Sequence, residues 1–534
     1  MRIFFLSILS IFFLIVFSLI YLSIFGYETE KFNSLLESKI SSNEPNARID
    51  LSKIKIKVDL KKLGFFITTS KPKIKYYETN LNVKKIKANI NFKSFLTGST
   101  EIDKIYISFE ETDIQEVKKI IKYFKPSNFK KFFLNEVQTG SISFNVDLYL
   151  KNNEISNYEV NGYVKDLFAV FKNIKINNSS FIYSIKENYG EIDNLRGLIS
   201  GFQINSGFIK FDNSNSLSLN GEIKSNLNLT KKEIGNFFDK KILENFNTVK
   251  INGSLTNLFN LEFDKTLKLI NYKIKASGVI KNSNLNFKDI IKINLLRNGI
   301  ENLNFEKTEF KIDYNNDENK NIYLSGLYKL NNKQSQKFEL KNVLSKLQKI
   351  SINLDFNDEI SIPILNFNSK NKIVNFNTDL EIGEKLINLK TFSLKENKRF
   401  IKINKMLIKN RKLKNFDKII VKTFKDNKIN NDFSVLLNDK LEIKGSKYDA
   451  SNLTSFLDKR DNSKFLNDVN KEISVNINEI SNNFSEKISN FSLIGSIKRG
   501  KFNKIISKGK FYEDKYIDIS LREDEISKMK ILEV

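Results

Sequence analysis

The sequence predicts an all-β, mainly antiparallel fold behind one N-terminal transmembrane helix: an elongated, twisted, repeating β-groove with a few short helices. Three observations lead there. Ile3 to Phe25 carries no charge, and from about residue 50 onward apolar residues recur with a period of two. Gly and Asn/Asp/Ser clusters then punctuate those runs, as turns between strands do.

The first element is the helix. Ile3 to Phe25 is a run of 23 residues dominated by Ile, Leu and Phe. As a helix it extends about 34 Å, enough to cross a hydrocarbon core of about 30 Å. A cleaved signal peptide has a shorter apolar region and a small-residue cleavage site, and Ile24-Phe25-Gly26-Tyr27-Glu28 offers none. Residues 1–27 therefore read as an uncleaved anchor, with Ile3, Phe12, Ile15 and Phe25 among its membrane residues. Arg2 lies in front of it, and Lys31 and Lys39 lie behind among Glu28, Glu30 and Glu37, so charge gives little orientation.

Residues 28–125 form the next region. Phe32, Leu35, Leu36 and Ile40 follow helical spacing, so a short amphipathic helix is expected over Glu28 to Ile40, closed by Pro45. Ile54, Ile56, Val58 and Leu60 then alternate with Lys and Asp. Ile114, Val117, Ile120, Ile121 and Phe124 make one helical stripe, stopped before Pro126.

Residues 126–534 read as a repetitive β-groove. Ile142, Phe144, Val146, Leu148 and Leu150 alternate with polar residues. Leu217, Leu219, Ile223, Leu227 and Leu229 share one parity, as do Ile274, Ala276 and Ile280, then Ile322, Leu324, Tyr328 and Leu330, then Ile473, Val475 and Ile477. Such alternation marks strands with one apolar and one polar face. Asn152-Asn153, Asn213-Ser214-Asn215 and Asn315-Asn316-Asp317 read as hairpin connections of an antiparallel meander. Gly140, Gly207, Gly221, Gly278 and Gly495 each precede a similar short apolar segment, a weak internal repeat. Further helices are expected at Thr230-Lys231-Lys232-Glu233, which resembles a capping box, at Val343, Leu344, Leu347 and Ile350, and at Asn452 to Leu457.

Composition narrows the chemistry. The chain has no Cys, no His and no Trp. Disulfides, thiol nucleophiles, Cys/His zinc sites, His bases and Ser-His-Asp triads are excluded. The carboxylate runs Glu110-Glu111 and Glu523-Asp524-Glu525 read as exposed charge. No enzyme activity, catalytic residue, metal or cofactor is expected. The net charge is +26, from 88 Lys and Arg against 62 Asp and Glu. Because many Lys alternate with apolar residues, as in Lys53-Ile54-Lys55-Ile56-Lys57-Val58, they read as a solvated sheet face and not as a nucleic-acid site.

A long sheet with one apolar face must cover that face, by a second sheet, by closure into a barrel, or with a ligand. An acyl chain gains about 0.8 kcal/mol per buried methylene. The expected lipid-groove residues are Ile54, Ile56, Val58, Ile142, Phe144, Val146, Leu148, Leu217, Leu219, Ile223, Leu227, Leu229, Ile274, Ile322 and Leu324. Three rivals stand beside this reading: an outer-membrane barrel, disfavoured by the uncleaved anchor, a structural assembly factor with a closed β core, and a carboxylate-based hydrolase, disfavoured because its candidate carboxylates read as exposed charge runs.

The N-terminal part resembles AsmA-like proteins, especially the large YhdP-like members. The resemblance rests on the anchor, then Phe32-Asn33-Ser34-Leu35-Leu36, a Pro, and Ile49-Asp50-Leu51-Ser52-Lys53-Ile54-Lys55-Ile56. Phe66-Ile67-Thr68-Thr69-Ser70-Lys71-Pro72-Lys73-Ile74 is similar to the family's first hairpin, and Phe95-Leu96-Thr97-Gly98-Ser99 with Ile102 to Ile107 resembles its next step. Gly445 to Leu453 resembles a recurring Gly-x-x-x-Asp-small-Ser-x-Leu segment, in which Asp449 reads as a helix N-cap. The resemblance implies an inner-membrane anchor and a periplasmic body whose β-groove moves phospholipid toward the outer membrane, with envelope proteins as further partners. Because such members are usually much longer and this chain ends inside an alternating run, a partial chain, incomplete at the C-terminus, is expected.

Overall fold

The computed structural model describes residues 2–30, 33–34, 37, 46–51, 53–60, 64–90, 102–151, 154–171, 174–236, 240–266, 268–316, 320–369, 372–453, 465–482, 486–512, 515–523 and 530–534. The fold is mostly strand, almost wholly antiparallel, with one long N-terminal helix and a few short ones. Two compact units form: Met1–Leu227 with Thr256–Tyr272, and Asn228–Leu255 with Lys273–Val534.

The first unit opens with the helix Arg2–Ile24, none of whose residues from Phe4 to Ile24 is buried. It is long and apolar enough to cross a membrane, a property it shares with secretion signal sequences. Gly26 ends it with φ +74°, a left-handed conformation suited to glycine after a helix. The Lys57 ammonium then donates to the Ile24 carbonyl at 2.8 Å, satisfying a helix-end acceptor.

Beyond Gly26 the chain departs from the helix expected over Glu28 to Ile40. Tyr27–Thr29 is a strand, antiparallel to Ile54–Asp59 with Tyr27 opposite Ile56 and Thr29 opposite Ile54. Glu28 also pairs with Lys55 across this ladder, so the start of the expected helix is held extended. Asn33, Ser34 and Glu37 are helical, whereas Phe32, Leu35, Leu36, Ile40 and Pro45 lie outside the described residues.

From Ile54–Asp59 each strand pairs with the next in a meander: Gly64–Ser70, Thr79–Ile90, Ile102–Phe109, Val137–Lys151, Glu154–Phe171, Ile174–Lys186, Tyr189–Ile199, Phe202–Asp212 and Leu217–Thr230. The segment Phe66 to Ile74 is not a hairpin. Gly64–Ser70 and Lys73–Tyr76 run in the same direction along one side of Thr79–Ile90. The Lys71-Pro72 kink shifts the chain along its partner without reversing it. Ala47–Asp50 pairs with Lys73–Tyr76. Phe95 to Ser99 and Asn152-Asn153 lie outside the described residues.

Of the helical stripe expected from Ile114 to Phe124, the helix spans Ile114–Ile121, with the Asp113 carboxylate accepting from the Gln115 N–H. A second helix, Asn128–Glu136, follows Pro126 and is capped by Ser127. The Lys130 ammonium donates to the Lys122 and Phe124 carbonyls and so ties the two helices together. Ile114 seats this pair on Val137, Val164, Ala169 and Tyr183.

The second unit begins with Thr230 capping Lys231–Ile234, and the Thr230 N–H donates to Glu233 to complete the capping box. The apolar stripe expected to continue this helix, Ile234, Phe237, Phe238 and Phe246, is not one helix: Phe246 opens the strand Phe246–Phe263, and Phe237 and Phe238 lie outside the described residues. Leu269–Ile291, Ile300–Asn315, Lys320–Leu330, Gln336–Leu344, Gln348–Phe356, Val374–Ile382, Leu386–Glu396, Arg399–Lys409, Lys412–Lys425, Lys428–Leu437 and Lys440–Asp449 pair antiparallel in succession. The helix expected around Val343 to Ile350 is instead a hairpin, with Phe338 opposite Leu354 and Leu340 opposite Ile352. Its apolar residues only gather about a turn in which the Ser345 hydroxyl donates to the Leu347 carbonyl.

Lys440–Asp449 then pairs in parallel with Lys471–Ser481, the one parallel pair among the described registers. Ile488–Lys498, Lys501–Tyr512, Lys515–Glu523 and Lys530–Glu533 complete the unit, again antiparallel. Asp449 accepts from the N–H and hydroxyl of Ser451, as an N-cap does; of the expected helix Asn452 to Leu457, only Asn452 and Leu453 are described. Among the described residues neither unit closes into a barrel.

Candidate functional site

Strand register converts parity into a surface. In the first unit Ile54, Thr69, Ile86, Ile107, Val146, Val160 and Ile185 occupy successive opposed positions, and opposed residues share a face. The row continues through Gly190 and Phe211 to Leu219. A Cβ on Gly190 would sit 2.0 Å from the Phe211 ring, so the missing side chain makes room for that ring. A neighbouring row holds Ile56, Ile67, Ala88, Ile105 and Leu148. Another holds Phe144, Gly162, Tyr183, Ile192 and Ile209, with Phe109 stacked on Phe144 at 4.2 Å.

The reverse face is polar. Lys55, Thr68, Lys87, Tyr106, Asp147, Glu159 and Lys186 succeed one another in the adjacent register. Lys104 pairs with Asp147 at 2.9 Å. Glu111 accepts from Ser141, Tyr163 and Lys165, which together hold its carboxyl at about 2. It is therefore ionised and fully engaged near neutral pH, unlike a general acid. Glu442 is held at about 2 likewise by Lys440 and Lys444.

In the second unit one row crosses fifteen strands: Gly278, Phe310, Leu324, Leu340, Ile352, Thr378, Phe392, Ile403, Ile419, Val435, Ile443, Val475, Leu493, Ser507 and Ile519. At about 4.8 Å per strand this is a contour of about 65 Å. From Leu324 to Leu493 its aliphatic and aromatic members are half-buried.

The rows beside it are more deeply covered. Leu394, Ile401 and Val421 are buried beneath Ile360 and Phe367, which project from the segment between Gln348–Phe356 and Val374–Ile382. That segment is pinned by polar groups. Lys333 reaches Asp358, itself 1% exposed, at 2.6 Å. Arg399 donates to the Asn368 carbonyl. The fully buried Asn431 donates to the Leu365 carbonyl at 2.7 Å and accepts from the Asp449 N–H. Burial pushes the Asp449 carboxyl up, but donors from Ser451 and Asn430 outweigh it and hold the group below its ordinary range. On the other flank Val469 packs with Leu413, Phe416 and Leu437, and Asp468 binds Lys412 and Lys414. The central row lies between these two covers.

The groove residues expected from the sequence divide between the two units. Ile54, Ile56, Val58, Ile142, Phe144, Val146, Leu148, Leu217, Leu219, Ile223 and Leu227 share the apolar face of the first unit, with Ile54, Val58 and Leu227 buried and the rest half-buried. Leu229, Ile274, Ile322 and Leu324 belong to the second unit; Leu229 is buried and the other three half-buried. Phe12, Ile15 and Phe25 are more than half exposed on or just after the N-terminal helix, which also contains Ile3. Sequence reasoning missed the two covering segments and the polar group Glu396, Arg399, Thr423 and Asn431, all buried except the half-buried Arg399. Alternation alone does not report what packs across a face. No cluster of metal-binding side chains occurs among the described residues. Comparison of the chain with protein-family models, curated proteins and solved structures finds no match.

Proposed function

We propose that this chain is a membrane-anchored lipid-transfer protein that carries phospholipid acyl chains along its apolar sheet faces, its N-terminal helix spanning the inner membrane and its strands lying in the periplasm. The observation that carries the reading is the half-buried central row, from Leu324 to Leu493, flanked by covered rows and backed by the polar residues Glu339, Asn353, Asn377, Ser393 and Lys402 in the adjacent register. A row of this kind suits a mobile apolar ligand better than a fixed core. Burying an acyl chain gains about 0.8 kcal/mol per methylene, while the lack of charged side chains along the row, whose one polar member Thr378 is buried and bonded to the Thr391 carbonyl, lets it slide. The resemblance to AsmA-like proteins points the same way, toward phospholipid supply to the outer membrane.

Site-specific photo-crosslinking of the full chain in native membranes tests this. A photoreactive side chain at Ile403 or Val146 should yield phospholipid adducts, and one at Asn404 or Asp147, on the reverse face, should not. Absence of adducts at every inward position would favour the assembly-factor reading. Charged substitutions along the row should block transfer while membrane insertion persists.

A further inference from the structure

The small sheet formed by Ala47–Asp50, Lys73–Tyr76 and the start of Thr79–Ile90 bears an open cleft of about 540 Å3. Four cations line it, Arg48, Lys71, Lys73 and Lys75, against two carboxylates, Asp50 and Glu110. Register places Arg48 directly opposite Lys75, and Asp50 opposite Lys73. Like charges opposed across strands destabilise a sheet. Several Lys residues elsewhere on the strands find a carboxylate: Lys104 with Asp147, Lys390 with Glu381, Lys447 with Glu479. Among the described residues none of the four cleft cations forms an ion pair. Asn80 and Asn82 extend the same two rows and add amide groups to the lining.

We propose that this cleft binds a phosphate group. A phosphate offers oxygens to the Arg48 fork and to two or three ammonium groups at once, and it offsets the repulsion between the opposed cations. The group could belong to a lipid headgroup, a phosphodiester, or to a soluble phosphate. The site stands independently of any transfer along the apolar faces.

The full chain, reconstituted in nanodiscs, is titrated with inorganic phosphate, sn-glycerol 3-phosphate and sn-glycero-3-phosphoglycerol, the last being a headgroup without tails. Saturable binding of at least one probe is expected. Tighter binding of the diester assigns a lipid headgroup, and tighter binding of inorganic phosphate or the monoester assigns a soluble phosphate. The triple variant R48Q/K73Q/K75Q should weaken binding by at least about tenfold. Asp50→Asn removes the competing carboxylate and should strengthen binding severalfold, a gain that loss of folding does not mimic. No saturable binding of any probe, or a triple variant that folds and binds like the parent, overturns the proposal.

Discussion

The openness of the central row can be measured by comparing Ile403→Ala with Leu394→Ala. The two positions lie on adjacent paired strands, one row apart. Leu394 is 2% exposed beneath the segment that carries Ile360 and Phe367. Its truncation leaves a closed cavity and should cost about 2–5 kcal/mol. Ile403 is half-buried, opposite Phe392 and Ile419, and unlike those two neighbours is not among the residues packed against the cluster of Ile360 and Phe367. Fully burying an Ile side chain contributes about 1.5–3 kcal/mol, so half-burial contributes about 1 kcal/mol, with no cavity cost added. The expected gap between the variants is therefore at least about 1 kcal/mol. Urea unfolding followed by far-ultraviolet circular dichroism reads it as a shift in midpoint at unchanged slope. If Ile403→Ala costs as much as Leu394→Ala, the row is closed core and the transfer reading loses its footing.

Three further outcomes are expected. Glu111 has a folded-state pKa of about 2, below its ordinary 4.5, so its stabilisation is present above that ordinary value and fades as pH falls toward 2. Glu111→Gln should abolish the acid-induced rise in hydrogen exchange around Ser141 and Tyr163 over that window. Gly26→Val forces a branched residue into φ +74° with its Cβ 2.8 Å from Lys57, costing about 1–2 kcal/mol locally. Faster limited proteolysis near Tyr27–Thr29 would register it, and unchanged cleavage would refute it. Asn431→Leu strips partners from the Leu365 carbonyl, the Thr423 hydroxyl and the Asp449 N–H, and should cost about 3 kcal/mol. A thermal melt and protease sensitivity of the segment around Ile360 measure it.

Local pattern determined much of this protein. Twenty-three residues without a charge can only be a long apolar helix, and period-two alternation assigns each strand a face whatever its neighbour. The capping residue Thr230 acts within a few residues of itself, so it too was legible. Where sequence reasoning failed, the deciding contact was distant. Tyr27–Thr29 is extended because Ile54–Asp59 lies beside it, and Val343 and Ile350 sit in a hairpin because Phe338 faces Leu354 and Leu340 faces Ile352. Only the tertiary structure decided that Lys440–Asp449 takes a parallel partner, and which rows are covered by Ile360, Phe367 and Val469. Alternation encodes which way a side chain points; what meets it there depends on residues tens of positions away, and that is settled only when the chain folds.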